Sequence, residues 1–137
     1  MYRINFYPPG SIANEQLKYA IIISRYDGKW IFVRHRDRTT WEVPGGHREK
    51  GEAVAEAAKR ELYEESGAAD YILTEVADYS VESDGDTGFG RLFFAEVKKL
   101  GALPQSEIAE VRLFDAMPDN LTYPEIQKVL FKLAAEL

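Results

Sequence analysis

The chain has 137 residues, 45% hydrophobic and 29% charged, which suits one globular domain spanning 1–137 and excludes a disordered or fibrous chain. It contains no cysteine, so disulfide scaffolds, thiolate zinc sites and cysteine nucleophiles are excluded. A net charge of -6 gives no bulk attraction to duplex nucleic acid, and phosphate binding then calls for a divalent cation between carboxylate and phosphate.

Residues 1–10 lack an apolar stretch of signal-peptide length, and the longest apolar run, 19–23, is too short to cross a bilayer. The expectation is a cytoplasmic protein with no membrane partner. Residues 17–25 and 29–36 are rich in β-branched and aromatic side chains around Asp27-Gly28, a hairpin signal. Residues 41–43 read as a short strand leading into Pro44-Gly45-Gly46. Those glycines imply either a tight turn or backbone that comes close to a ligand.

Residues 52–66, rich in Ala, Glu and Lys, predict a helix that Gly67 stops. Residues 71–83 and 89–97 predict two longer strands joined through Ser83-Asp84-Gly85-Asp86, and 111–114 a further short strand. Thr122 with Glu125 reads as a capping box, and Pro124 suits the first turn of a last helix running towards Leu137. Ile126, Val129, Leu130 and Leu133 form its apolar stripe. The order of strands and helices predicts a mixed sheet covered by helices, an α/β or α+β domain.

The chemically informative stretch is 45–68, with Glu49, Glu52, Glu56, Glu61, Glu64 and Glu65. Glu61, Glu64 and Glu65 are spaced i, i+3, i+4 and fall within roughly 100° of one helix face. Like charges at those spacings repel, and negative charge near a helix C-terminus opposes the macrodipole. A bound cation relieves both. A hard ion such as Mg²⁺, with Mn²⁺ as the alternative, takes such oxygen ligands and lowers the pKa of a bound water. The competing reading is an ordinary solvated Glu/Lys helix face.

Gly46, Glu52 and Arg60-Glu61-Leu62-Tyr63-Glu64-Glu65-Ser66-Gly67-Ala68, at these spacings, resemble the Nudix box, and every defining position is filled. The resemblance implies a Nudix-type α/β/α sandwich and Mg²⁺-dependent hydrolysis of a nucleoside diphosphate linked to another moiety. By the same resemblance Glu61, Glu64 and Glu65 match metal-binding glutamates, with Glu61 or a neighbour as base, and a carbonyl of Gly45 or Gly46 offers another ligand. Glu52 and Arg60 match supporting positions. Arg60 can pair with carboxylates bidentately, against the plainer reading of a surface pair with Glu56 or Glu64. Glu107 and Glu110 are candidates for an extra carboxylate beyond the box. Asn120 matches the region where MutT-like members read an oxidised guanine, against the plainer reading of a turn residue, which Asn favours.

Elsewhere, Arg34 and Arg36, within a basic cluster that includes Arg38, are weak candidates for a phosphate contact, or else a solvated strand end. His35 and His47 read as surface or loop histidines. Tyr7, Phe32, Phe89 and Phe93 read as core before base-stacking. The markers of ADP-ribose and dinucleoside polyphosphate hydrolases are absent around Asp84-Gly85-Asp86. The leading expectation is therefore an 8-oxo-dGTP-type pyrophosphohydrolase acting on a small nucleotide. The alternatives are a nucleotide-sugar or RNA 5′-end hydrolase, or a nucleotide-sensing Nudix domain. The sequence is silent between monomer and homodimer.

Overall fold

Asp27 and Gly28 adopt left-handed backbone, φ 53° and 76°, which a two-residue hairpin turn of the primed type requires. The turn joins β2 (Leu17–Tyr26) to β3 (Lys29–His35). In the computed structural model, which describes residues 2–136, the other described strands and α-helices are β1 (Arg3–Tyr7), β4 (Gly45–His47), α1 (Val54–Ser66), β5 (Ala68–Ser83), β6 (Asp86–Leu100), β7 (Ile108–Phe114) and α2 (Pro124–Ala135), with a 3-10 turn at Asn14–Gln16 before β2. The described strands make one mixed sheet in the order β1-β5-β6-β2-β3-β7, with β4 on β2. The β2–β6 pair is parallel and the remaining pairs are antiparallel.

Alternate residues of a strand face opposite sides, and here both sides are covered. Ile22 joins Leu17, Ile31 and Phe93 against Val54, Ala57, Ala58 and Leu62 of α1. Ile23 joins Phe32, Tyr79 and Leu92 against Leu130 and Ala134 of α2. The result is helix, sheet, helix, the sandwich expected. It fixes α1, and the acidic face of its C-terminal half, against the middle of the sheet.

Several local expectations are corrected. Gly45 and Gly46 are a strand, not a turn: β4 pairs Tyr19–Ile21 of β2. Residues 41–43 make isolated bridges, Trp41 to Leu121 and Glu42 to Val33, rather than a strand. Helix α1 starts at Val54, because residues 49–53 form a loop tied down by Arg48, whose guanidinium donates to the carbonyls of Glu15, Leu17, Glu49 and Glu52. The Thr122–Glu125 capping box does not form: Tyr123 is the N-cap with no side-chain hydrogen bond, and the Thr122 hydroxyl pairs with that of Thr40. Val129 is exposed, and Gln127 takes a buried place on α2 instead, its side chain accepting from the Val43 N–H. Strand β1 was not anticipated.

Candidate active site

Helix α1 has no side-chain cap of its own, since Ala53 stands at the N-cap. Asn14 supplies one from a distance: its Oδ1 accepts from the Val54 N–H at 2.8 Å and its Nδ2 donates to the Glu52 carbonyl at 3.0 Å. The loop before α1 is thereby pinned from outside the box.

Arg60 is the hub. It holds Glu52 with two parallel bonds, Nε to Oε2 at 2.9 Å and Nη2 to Oε1 at 3.0 Å. The same guanidinium reaches Glu61 at 3.0 Å, Glu64 at 3.4 Å and the His47 carbonyl at 3.1 Å. Glu56 pairs instead with Lys59, so of the two plain surface partners Arg60 meets Glu64 but not Glu56, and it meets Glu64 in addition to Glu52 and Glu61. Arg60 hydrogen bonds hold Glu52 down to about 2, helped by the Glu49 N–H. The same bond to Glu52 raises Arg60, which stays charged.

Glu61 and Glu65 are different. Each side chain is only 13% exposed. Burial pushes Glu61 up to about 7, against the pull of Arg60 and with the push of Glu64 and Glu52. Burial pushes Glu65 up to about 8, opposed by the Gly45 N–H, which donates to it at 3.0 Å, and reinforced by Glu61, Glu42 and Glu64. Gly46 matters by lacking a side chain, because a Cβ there would sit 1.6 Å from Glu61 Oε2. Of the two meanings open for the glycine pair, close approach is the one realised. What approaches is the protein's own carboxylate.

Among the described residues no three His, Asp or Glu side chains converge as a ready-made metal cage. Glu61 and Glu64 are turned onto Arg60, and Glu65 onto the Gly45 N–H. The donor set still fits a hard divalent cation: it is all oxygen, and two partly buried carboxylates are short of positive charge.

His35 is not a stray surface histidine. It stands at the end of β3, 3.5 Å from Glu42, 3.8 Å from Glu65 and 3.9 Å from Glu107. Glu42, which sequence reasoning did not single out, is buried and accepts from Arg38 at 2.6 Å. The available signal was an acidic residue between apolar Trp41 and Val43, two residues before Pro44. Glu107 is almost fully exposed and lines an open cleft of ≈ 530 Å³ with His35, Arg36, Asp37, Arg38 and Ser106.

The remaining candidates fall elsewhere. Arg34 pairs with Glu110 at 3.3 Å, and Arg112 holds the other Glu110 oxygen, which lowers the Glu110 carboxyl. Asn120 donates to the Thr39 carbonyl from the loop before α2. Phe32 and Phe93 are core, Phe89 packs against it, and Tyr7 meets Ser80 through its hydroxyl. His47 is exposed and edge-on to Tyr19.

The NUDIX domain pattern matches residues 15–130. The chain belongs to the Nudix family. Nudix hydrolases generally use a divalent metal. A relative described as "Putative 8-oxo-dGTP diphosphatase YtkD", from Bacillus subtilis (strain 168), is 35% identical over 108 residues, 77% of this chain and 66% of that one. The chain thus spans just under two thirds of that relative. Among solved structures, the pyrophosphohydrolase BsRppH of Bacillus subtilis superposes with a TM-score of 0.81 at 26% identity, over 97% of this chain and 90% of that one. The Nudix domain of Shewanella oneidensis NrtR, solved with ADP ribose, gives 0.68 at 17% identity, over 95% and 92% respectively, and shows the shared fold. Among the described residues no helix is long and apolar enough to cross a membrane.

Proposed function

We propose that this chain, working as one Nudix domain, is a Mg²⁺-dependent nucleoside triphosphate pyrophosphohydrolase that releases a nucleoside monophosphate and pyrophosphate. An oxidised guanine nucleotide of the 8-oxo-dGTP kind is the leading substrate. The observation that carries the reading is the pair Glu61 and Glu65, partly buried against Gly46 and Gly45 with too little positive charge around them. The relative described as a putative 8-oxo-dGTP diphosphatase supports the substrate class.

Glu61, Glu64 and Glu65, with a carbonyl of Gly45 or Gly46, are the groups that would hold the metal. When bound, Mg²⁺ supplies charge neutralisation for the polyphosphate and an acidified water nucleophile. The protein does the rest. Glu61 or a neighbouring glutamate is the group placed to accept the proton from the attacking water. Arg60 and Glu52 keep the loop and the Glu61 carboxylate in place through the bidentate pair. His35 and Arg36, on the cleft next to Glu65, meet the phosphate chain, and Glu107, beside His35, offers a further carboxylate.

The test is product release by the pure protein over a panel of 8-oxo-dGTP, ordinary nucleoside triphosphates, nucleotide sugars and 5′-triphosphorylated RNA, with Mg²⁺ or with chelator. Pyrophosphate release from the oxidised nucleotide, lost in chelator and in Glu64→Gln and Glu65→Gln, is the expected result. No turnover of any member would indicate a sensing domain. Undiminished turnover by both variants would sink the metal assignment.

A further inference from the structure

We propose, resting on the metal reading above, that Asn14 is a positioning residue for the metal-binding face of α1 and acts through the carbonyl of Glu52. Asn14 lies far outside the 45–68 stretch.

The two side-chain bonds of Asn14 do different things. Its Oδ1 accepts from the Val54 N–H at 2.8 Å and so satisfies a donor that a helix start leaves open. Its Nδ2 donates to the Glu52 carbonyl at 3.0 Å. Capping does not account for this second bond. A helix start lacks acceptors for its N–H groups, not donors for carbonyls. The Glu52 carbonyl also precedes the Ala53 carbonyl, which takes the helical bond from the Ala57 N–H.

Arg48 Nη1 donates to the same Glu52 carbonyl at 3.0 Å, so that peptide is gripped from two directions. The side chain of Glu52 is equally engaged. It accepts from the Glu49 N–H at 2.9 Å and twice from Arg60. The same Arg60 guanidinium reaches Glu61 and Glu64. A shift of the Glu52 backbone therefore moves Arg60, and Arg60 moves both glutamates. Mg²⁺ demands near-ideal octahedral geometry, and ligands must stand within about 0.5 Å of their places.

Asn14 can hold this loop because it is held itself. It is half-buried between exposed Ala13 and Glu15. Before it, Asp78 Oδ2 accepts from the Gly10 and Ile12 N–H groups at 3.1 and 2.9 Å. After it, Arg48 donates to the carbonyls of Glu15 and Leu17, and Leu17 is fully buried. Asp78 is locked in turn by Arg91. Contacts thus run unbroken from the sheet through Asn14 to the acidic face of α1.

The experiment measures binding of Mn²⁺ alone to the full chain, without nucleotide, from the paramagnetic resonance signal of the free ion. Urea unfolding in chelator is measured beside it. Asn14→Ala removes both bonds. Asn14→Asp keeps an acceptor for Val54 but cannot donate to Glu52. Ile23→Val, in the core under α2, is the control for a plain loss of stability. Both Asn14 variants are expected to bind Mn²⁺ about tenfold more weakly, while only Asn14→Ala unfolds at clearly lower urea. Ile23→Val should unfold earlier and bind Mn²⁺ as the wild type does. The added charge of Asn14→Asp favours a cation, so weaker binding there reports position. Unchanged Mn²⁺ affinity in both Asn14 variants overturns the proposal and leaves the proposed function standing. Loss in Asn14→Ala alone assigns the effect to the cap and overturns it as well. Equal loss in Ile23→Val overturns it too, since affinity would then follow stability. Failure of the wild type to bind Mn²⁺ overturns both this proposal and the metal reading.

Discussion

Two groups of acids, Asp78 on β5 and the partly buried Glu61 and Glu65 on α1, pack into the same domain and differ in one respect. Asp78, wholly buried on β5, is fully partnered: Arg91 Nε donates to Oδ1 at 2.6 Å, and the Gly10 and Ile12 N–H groups donate to Oδ2 at 3.1 and 2.9 Å. Arg91 is itself shared with Glu75. Around Glu61 and Glu65 the ledger of charge is lopsided, with Arg60 spread over Glu52, Glu61 and Glu64 and one N–H serving Glu65. The first group has its counter-charge built in, as a structural ion pair must if it is not to destabilise the fold. The second lacks it, and the unmet negative charge is what a cation and its polyphosphate would answer. Burial alone does not separate a structural acid from a functional one. The completeness of its partners does.

The largest effect expected is on the partnered side. Asp78→Ala leaves Arg91 with only Glu75 and strips two backbone N–H groups of their acceptor, and urea denaturation should show a loss of about 3 kcal/mol. If the loss is below about 1 kcal/mol, the contrast between the two groups fails. On the other side, Glu65→Gln keeps an acceptor for the Gly45 N–H and removes charge. Steady-state turnover with Mg²⁺ should fall at least about 100-fold, roughly 2.7 kcal/mol of barrier. Unfolding of this variant at about pH 8.5 in chelator should be no easier than for the wild type, because what it removes is an unpaired charge.

The pH dependence sharpens the same contrast. Glu61 and Glu65 are raised to about 7 and about 8 in the folded state, from an ordinary 4.5. Between about 4.5 and about 8 the folded chain therefore binds more protons than the unfolded one, and these two groups lose stability as pH rises. In chelator the urea midpoint should drop between about pH 5 and about pH 8.5, and saturating Mg²⁺ should restore most of it. Glu52, held down to about 2, acts in the opposite sense and in a lower window: its contribution is present above about 4.5 and is lost as pH falls towards 2. A midpoint that rises with pH in chelator would contradict the charge imbalance.

The smallest effect concerns the link between the groups. The loop that Asp78 holds at Gly10 and Ile12 continues into Asn14, which caps α1. Asn14→Ala should cost about 1 kcal/mol, the usual worth of a helix cap, and Asn14→Asp should recover most of it by keeping the acceptor. A double-mutant cycle with Asp78→Ala should show coupling, since either change frees the same loop.

The features readable in the sequence are those encoded by neighbours in the chain. Asp27-Gly28 announces its turn, the spacing of Glu61, Glu64 and Glu65 announces a shared face, and the span from Gly46 to Ala68 carries the family. The features not readable depend on partners far apart. Asn14 caps a helix 40 residues on, and β1 pairs with β5, Arg3 opposite Glu82. His35 gains its meaning only when β3 brings it to Glu42, Glu65 and Glu107. Gly45-Gly46 was ambiguous for another reason. A turn and a close contact both call for a missing side chain, and only the carboxylate lying against Gly46 tells them apart.

The parallel pairing of β2 with β6 sets a timetable for synthesis. Leu17 lies opposite Phe89, and Tyr26 opposite Val97, so the centre of the sheet cannot close until most of the chain has left the ribosome. At about 5–20 residues per second, β2 waits several seconds for its neighbour. Until then the apolar runs of β2 and β3 are a bare hairpin, marginal on its own in water. The nascent chain is thus most prone to aggregate between the emergence of β3 and that of β6, and slow translation through 36–88 is where chaperones would meet it.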